Sequence, residues 1–121
     1  MDILQKLPPS FSETLAAHMK RKCISTELLA ERCLMSDRQI YRFKSTPYPA
    51  ISLRNAVGLC IGLRLHPMLS MDLIRKAGYR FNLSLEHTAY QVLLLSMSEC
   101  SVYDCNRYLK SLGLKPIGRE E

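Results

Sequence analysis

Residues 24–44 contain the pattern that most constrains how this chain folds: two short amphipathic segments, each preceded by a serine. Ser25 precedes the first segment and Ser36 the second. Serine is a preferred N-cap because its hydroxyl accepts a hydrogen bond from a free backbone N–H of the first helical turn. Gln39 stands three residues after Ser36, which is the spacing of a capping box. The pattern therefore predicts two short helices joined by a tight turn.

Each predicted helix has an apolar face and a polar face. The apolar residues fall where two crossed helices would bury them: Leu29, Ala30, Cys33, Met35, Ile40 and Phe43. The second helix presents four polar side chains outward: Asp37, Arg38, Tyr41 and Arg42. A capped helix start followed by long polar side chains on one face is the geometry of a helix that enters the major groove of DNA.

The segment resembles the helix-turn-helix of the phage-repressor-like family, the Cro and lambda-repressor class of regulators, also called XRE-type. The matching positions are Ile24, Ser25, Leu29, Ala30, Met35, Ser36 and Ile40. Ala30 is the small residue that lets the two helices approach closely. Leu34 stands where the family usually has glycine, so the turn either avoids a left-handed residue or is strained. The resemblance implies a sequence-specific DNA-binding transcriptional regulator, of the repressor kind, that inserts residues 36–44 into the major groove.

Four residues of that helix are the candidate base contacts. Arg38 is the first choice, because its guanidinium matches O6 and N7 of guanine. Arg42, one turn later, would reach a base or a phosphate. Tyr41 would contact a thymine methyl group or a phosphate. Asp37 would accept from N4 of cytosine, orient Arg38, or serve only to start the helix.

The candidate phosphate contacts flank the base-reading helix. Ser25 and Thr26 stand at the N-terminus of the first motif helix, where family members hold a phosphate. The others are Lys44 and Ser45, past the second helix, and Lys20 and Lys22, before the first. The charge distribution agrees with this placement: residues 20–64 hold nine basic and three acidic side chains, whereas residues 84–121 hold four basic and five acidic ones. Positive potential around the motif would attract a polyanion.

The rest of the chain is predicted to be helical as well. Further caps and apolar spacings predict helices after Ser10, Ser52, His66, Ser84 and Ser101, two of them ending at Gly78 and Gly113. The fold class is therefore all-α: a five-helix lambda-repressor-like DNA-binding domain plus two C-terminal helices. The expected organisation is an N-terminal arm (1–9), a helix-turn-helix domain (10–80) and a C-terminal helical extension (81–121).

The C-terminal extension has two open interpretations. The helix predicted over roughly 85–97 is apolar on more than one face and is expected to be buried on both sides. The extension is then either a lid that completes the core or a self-association surface, with surplus apolar residues at Tyr90, Leu94, Leu95 and Met97. It looks similar to extensions in a bacterial subgroup of the family, and some family members adjoin a zinc metalloprotease domain.

Other classes of function find little support in the sequence. There is no His-Glu-x-x-His zinc site, no phosphate-binding glycine loop and no catalytic set, so we expect no enzyme, no metal and no cofactor. The five cysteines have no paired C-x-x-C spacing; a redox role is open only for Cys100 and Cys105. No apolar run is long enough to span a membrane and the first residues do not form a signal peptide, so a cytoplasmic location is expected.

The partners expected are double-stranded DNA and a second copy of the chain. The alternative is a protein-interaction module of the same fold, with weak or no DNA binding, that holds a protein partner such as a toxin or a metalloprotease. The apolar C-terminal helices and the acidic Asp37 at a base-reading position favour that alternative.

Overall fold

The computed structural model describes residues 6–118, and these form seven α-helices and no β-strand. They are α1 (Phe11–Arg21), α2 (Thr26–Cys33), α3 (Asp37–Ser45), α4 (Leu53–Gly62), α5 (Pro67–Lys76), α6 (Leu85–Ser96) and α7 (Val102–Ser111). The all-helical prediction is confirmed for this part of the chain, with five helices before residue 79 and two after it. Residues 1–5 of the predicted arm and residues 119–121 of the predicted extension lie outside the described residues.

Serine side chains start most of the helices. In six of them the N-cap hydroxyl accepts a hydrogen bond from the backbone N–H three residues later: Ser10, Ser25, Ser36, Ser52, Ser84 and Ser101. The exception is α5, where His66 Nδ1 accepts from Met68 N and Pro67 takes the first helical position. Each cap satisfies a backbone donor that the helix leaves free, which is worth about 1 kcal/mol. These starts are local to the sequence, and for that reason they are predictable from it.

Five helices end in a left-handed residue followed by an apolar one. The apolar residue donates its backbone N–H to the carbonyl five residues back, as Ile24 does to Met19 (2.9 Å) and Met35 to Ala30 (3.0 Å). This is the hydrogen bond of a Schellman motif. Gly78 and Gly113 supply the left-handed residue at two ends, but Cys23, Leu34 and Arg64 supply it at the other three, with φ between 52° and 58°. The turn of the motif therefore does contain a left-handed leucine, which is strained relative to glycine.

The central helix is α4, which packs against α2, α5, α6 and α7. Eight of its ten residues are buried; Arg54 and Asn55 are the exceptions. Gly62 faces α2 so closely that a Cβ atom there would collide with Cys33 Sγ. The motif helices α2 and α3 pack on each other, and α3 also packs on α1. The pair of helices α2 and α3 is thus held between α1 on one side and α4 on the other.

The chain after α7 returns to the motif. Ile117 is fully buried, and its backbone makes two hydrogen bonds to the side chain of Asn106: Ile117 N donates to Oδ1 (2.7 Å) and Asn106 Nδ2 donates to Ile117 O (3.1 Å). Gly118 follows with φ of 75°, and a Cβ atom there would lie 2.5 Å from the carbonyl oxygen of Cys33. Residues 81–118 thus contribute to the same hydrophobic core as residues 10–80.

The surface of α6 differs from the one expected. Tyr90 and Leu94, predicted as surplus apolar surface, are 2% and 0% exposed and belong to the core. Leu85 and Leu95 are 57% and 58% exposed, so the prediction that α6 is buried on both sides is wrong for the single chain. The helix uses one face for the core because α4 and α5 cover only that face.

Candidate nucleic-acid interface

The outward face of α3 carries the four side chains that the sequence predicts as base contacts. Ile40 and Phe43 point inward and are fully buried, which fixes the rotation of the helix about its axis. All four candidate side chains are exposed as a result: Asp37, Arg38, Tyr41 and Arg42. A helix anchored by its inner face and polar on its outer face is suited to lie in a groove of DNA.

A complete capping box fixes the start of α3. Gln39 N donates to Ser36 Oγ (3.2 Å), and Ser36 N donates to Gln39 Oε1 (3.2 Å). Asp37 follows in the first turn, where its negative charge is favourable to the helix dipole. In residues 6–118, the Asp37 and Arg38 side chains form no hydrogen bond or ion pair, so both remain available to a ligand.

The Arg42 side chain makes contacts within the fold. Its Nη1 donates a hydrogen bond of 2.9 Å to the backbone oxygen of Ala50, and its guanidinium carbon lies 4.7 Å from the centre of the Phe43 ring. The side chain thereby ties α3 to the loop that leads to α4. In this conformation only part of the guanidinium is free to bind a ligand. The contact with Ala50 was not predicted from the sequence.

The predicted phosphate contacts at the other end of α3 also contact each other. Lys44 Nζ donates to Thr26 Oγ1 (2.9 Å) and lies 5.0 Å from the centre of the Tyr41 ring. Thr26 is only 6% exposed, so its hydroxyl serves the contact between α2 and α3. Ser45 Oγ donates to the backbone oxygen of Tyr41 (2.6 Å). These contacts place a positive charge where the end of α3 meets the start of α2.

The remaining phosphate candidates lie around the turn between α1 and α2. Ser25 Oγ accepts from Leu28 N (3.1 Å) and is thus the N-cap of α2. Lys20 is exposed at the end of α1. Lys22 is half-buried, and its Nζ donates to the backbone oxygen of Arg64 (2.7 Å), a residue of the turn between α4 and α5. Lys22 is therefore fixed at the turn between α4 and α5, next to the basic residue Arg64.

The turn of the motif is supported by residues that the sequence analysis did not single out. Ile117 packs beside Met35 and Gly58, and Gly118 lies against the carbonyl oxygens of Cys33 and Leu34. No periodic pattern marks residues 114–118, so nothing in the sequence pointed to this contact. The residues matter because they lie directly behind the turn that sets the angle between α2 and α3.

Three of the five cysteines, Cys33, Cys60 and Cys105, are buried and are not placed as nucleophiles. All five are free thiols, and burial is the main cause that raises the pKa of Cys33, Cys60 and Cys105 to about 12. A protonated thiol is a poor nucleophile. Between Lys6 and Gly118, no three His, Cys, Asp or Glu side chains are grouped closely enough to hold a metal ion.

The comparisons with known proteins return nothing: no family model, no curated protein and no solved structure matches the chain. None of the helices described here combines the length and the apolar character needed to cross a bilayer. The candidate interface is therefore defined by the geometry of α2, α3 and their surroundings.

Proposed function

We propose that this protein is a sequence-specific DNA-binding transcriptional regulator, most simply a repressor, with a lambda-repressor-like arrangement of its first five helices. The observation that carries the proposal is the outward face of α3. A capping box fixes the N-terminus of the helix, and Asp37, Arg38 and Tyr41 are exposed while the inner face is fully buried. Arg38 reads guanine, because its guanidinium is unpaired within residues 6–118 and its fork matches O6 and N7.

The remaining proposed contacts are made to the bases and to the phosphate backbone of the DNA. Tyr41 lies one turn after Arg38 and meets a thymine methyl group or a phosphate. Lys44 contacts a phosphate while its Nζ stays near Thr26, and the free backbone N–H groups at the start of α2 add to that contact. Lys20 and Ser45 are further proposed phosphate contacts. Arg42 keeps the loop before α4 in place and adds positive charge to the same surface.

The experiment that tests the proposal is selection of a binding site from random duplex DNA by the purified protein. We expect a short enriched sequence that contains at least one guanine, bound more tightly than a shuffled duplex. A matched selection with Arg107→Ala, which removes one exposed charge from α7, should enrich the same sequence. If wild type enriches no sequence, the DNA-reading proposal fails and the interaction module takes its place.

A second proposed function, self-association, accompanies DNA reading and is favoured by an open groove between α5 and α6. Met68, Met71 and Leu95 line it and are 54%, 39% and 58% exposed, so apolar surface is left uncovered. We propose a second copy of the chain as the occupant, because recognition of two half-sites needs a dimer and α5 packs on α1, α4 and α6, away from the exposed face of α3. Sedimentation of Met71→Glu tests this: wild type should be dimeric at tens of micromolar and the variant monomeric, and a monomeric wild type would exclude it.

A further inference from the structure

A second group of positive charges lies where the end of α1 meets the turn between α4 and α5. Lys22 Nζ donates a hydrogen bond of 2.7 Å to the backbone oxygen of Arg64, and Arg32 Nη1 donates one of 3.3 Å to the backbone oxygen of Gly62. These contacts gather basic residues from α1, α2 and the α4–α5 turn. Arg21 precedes Lys22 in the chain, and its Nη2 lies 3.1 Å from His18 Nδ1. We call these four residues the basic cluster: Arg21, Lys22, Arg32 and Arg64.

No acidic side chain of the described residues forms an ion pair with the cluster. The ion pairs within residues 6–118 join Asp72 to Arg75 and Lys76, and Asp104 to Arg107, so none of them involves the cluster. Burial is the first cause that lowers the pKa of Lys22, and the next causes are the charges of Arg21, Arg32 and Arg64; Glu99 opposes them. Four basic side chains against one opposing carboxylate leave a net positive potential at this part of the surface.

The cluster is also held in place rather than freely mobile. Both hydrogen bonds end on carbonyl oxygens of the α4 end and the turn after it, and Arg64 itself has the left-handed φ of 52°. Arg21 and Arg64 are exposed, whereas Lys22 and Arg32 are half-buried. Lys22 and Arg32 are already held by these hydrogen bonds and lose little side-chain freedom when an anion binds, which favours binding.

The position of the cluster relative to α2 indicates the kind of anion. The first residue of α2 contacts Lys44 of α3, and its last turn carries Arg32 of the cluster. A helix of eight residues is about 12 Å long. One strand of duplex DNA carries a phosphate about every 3.4 Å of axis, so this length corresponds to three or four phosphates. Glu27 and Glu31 are exposed on α2 between these two points, so Lys44 and the cluster are two separate positive sites, spaced so that one polyanion with several phosphates can reach both.

We propose that the basic cluster is a second contact for the phosphate backbone of duplex DNA, independent of the base-reading face of α3. The inference rests on the proposed function for the identity of the partner, but it uses residues outside α3, and Arg32 and Arg64 were not among the phosphate contacts predicted from the sequence. The cluster contributes affinity and salt dependence, and it contributes no preference for sequence.

The test is the salt dependence of binding to a selected duplex and to a random-sequence duplex. Each phosphate contact contributes about 0.9 to the slope of log affinity against log salt. Arg64→Gln should lower the slope by about one, and Arg32→Gln with Arg64→Gln by about two, on both duplexes alike. The control is Arg107→Gln with Lys110→Gln, which removes the same charge from α7 and should leave the slope unchanged. A melting curve confirms that each variant is folded. If the double variant does not fold, the slope measured with Arg64→Gln alone tests the inference.

The outcomes separate this inference from the proposed function. If the cluster variants keep the wild-type slope while Arg38→Ala loses sequence preference, the second contact is refuted and the regulator proposal stands. If the cluster variants lose slope but wild type shows no sequence preference, the second contact stands and the regulator proposal is refuted. If wild type binds an acidic peptide, poly-glutamate, and not either duplex, the cluster is a protein-binding surface and the inference is overturned.

Discussion

Ile117 occupies the space beside Gly58 that a side chain would otherwise fill: a Cβ atom on Gly58 would lie 2.5 Å from Ile117 Cγ2. Met35, the residue that follows the left-handed Leu34, lies on the same side, with its Cε 3.2 Å from that position. The central helix, the turn of the motif and the end of the chain therefore meet at one point. This contact lies behind the turn between α2 and α3.

We expect Gly58→Ala to lower the melting temperature. The added methyl group overpacks a tight site, which costs about 1–3 kcal/mol, more than the roughly 1 kcal/mol that alanine gains over glycine in a helix. A thermal melt followed by circular dichroism measures the change. Ile117→Ala alone should cost about 2–5 kcal/mol, because it leaves a cavity.

The double variant of these two residues provides the control. If the methyl group on Gly58 collides with Ile117, then Gly58→Ala should be less costly in the Ile117→Ala background than in wild type. Strictly additive effects would mean that the two side chains do not compete for the same space.

The left-handed helix ends predict a stabilising substitution. Cys23 is exposed and holds φ of 55°, a conformation that costs a non-glycine residue about 1–2 kcal/mol, part of which glycine regains through its greater freedom in the unfolded chain. Cys23→Gly should therefore raise the free energy of unfolding by about 0.5–1 kcal/mol in a urea titration. Gly113→Ala is the reverse change and should lower the free energy of unfolding. Because no atom lies within 4 Å of an added Cβ there, the loss would come from the left-handed φ and not from a collision. A Cys23→Gly variant that is less stable than wild type would contradict the claim that residue 23 is strained by its left-handed conformation.

The starts of the helices were predictable because each depends on residues three positions apart. Ser36 and Gln39 specify the capping box without help from the rest of the chain, and Ile40 and Phe43 then specify which face of α3 is exposed. The contact of Ile117 with Gly58 was not predictable, because it joins distant parts of the chain through a segment without helical periodicity. The roles of Arg42 and Lys44 were missed for a related reason: their partners, Ala50 and Thr26, become neighbours only after folding.

The lowered pKa of His18 predicts that the free energy of unfolding depends on pH. Its side chain is fully buried, Arg21 Nη2 lies 3.1 Å from its Nδ1, and burial first and Arg21 second lower its pKa from 6.5 to about 4. Between pH 6.5 and 4 the unfolded chain therefore binds a proton that the folded chain does not. The contribution of His18 is present in full above pH 6.5 and is lost as the pH falls to 4, in total about 3 kcal/mol.

The measurement is the free energy of unfolding of wild type and His18→Gln across that pH range. Carboxylates titrate in both proteins, so the difference between the two curves isolates the histidine. We expect the wild type to lose stability more steeply than the variant as the pH falls from 6.5 to 4. Parallel curves would show that His18 accepts its proton as easily in the folded protein as in the unfolded chain.

The most direct test of the account is the effect of Arg38→Ala on recognition of each base pair of the selected site. Wild type and variant are titrated with the site and with duplexes that change one base pair at a time, at a single salt concentration. We expect the variant to lose about 1–3 kcal/mol on the selected site and to lose discrimination at one guanine-containing pair, with the other pairs discriminated as before. If Arg38→Ala discriminates every base pair as wild type does, then α3 is not the helix that reads DNA.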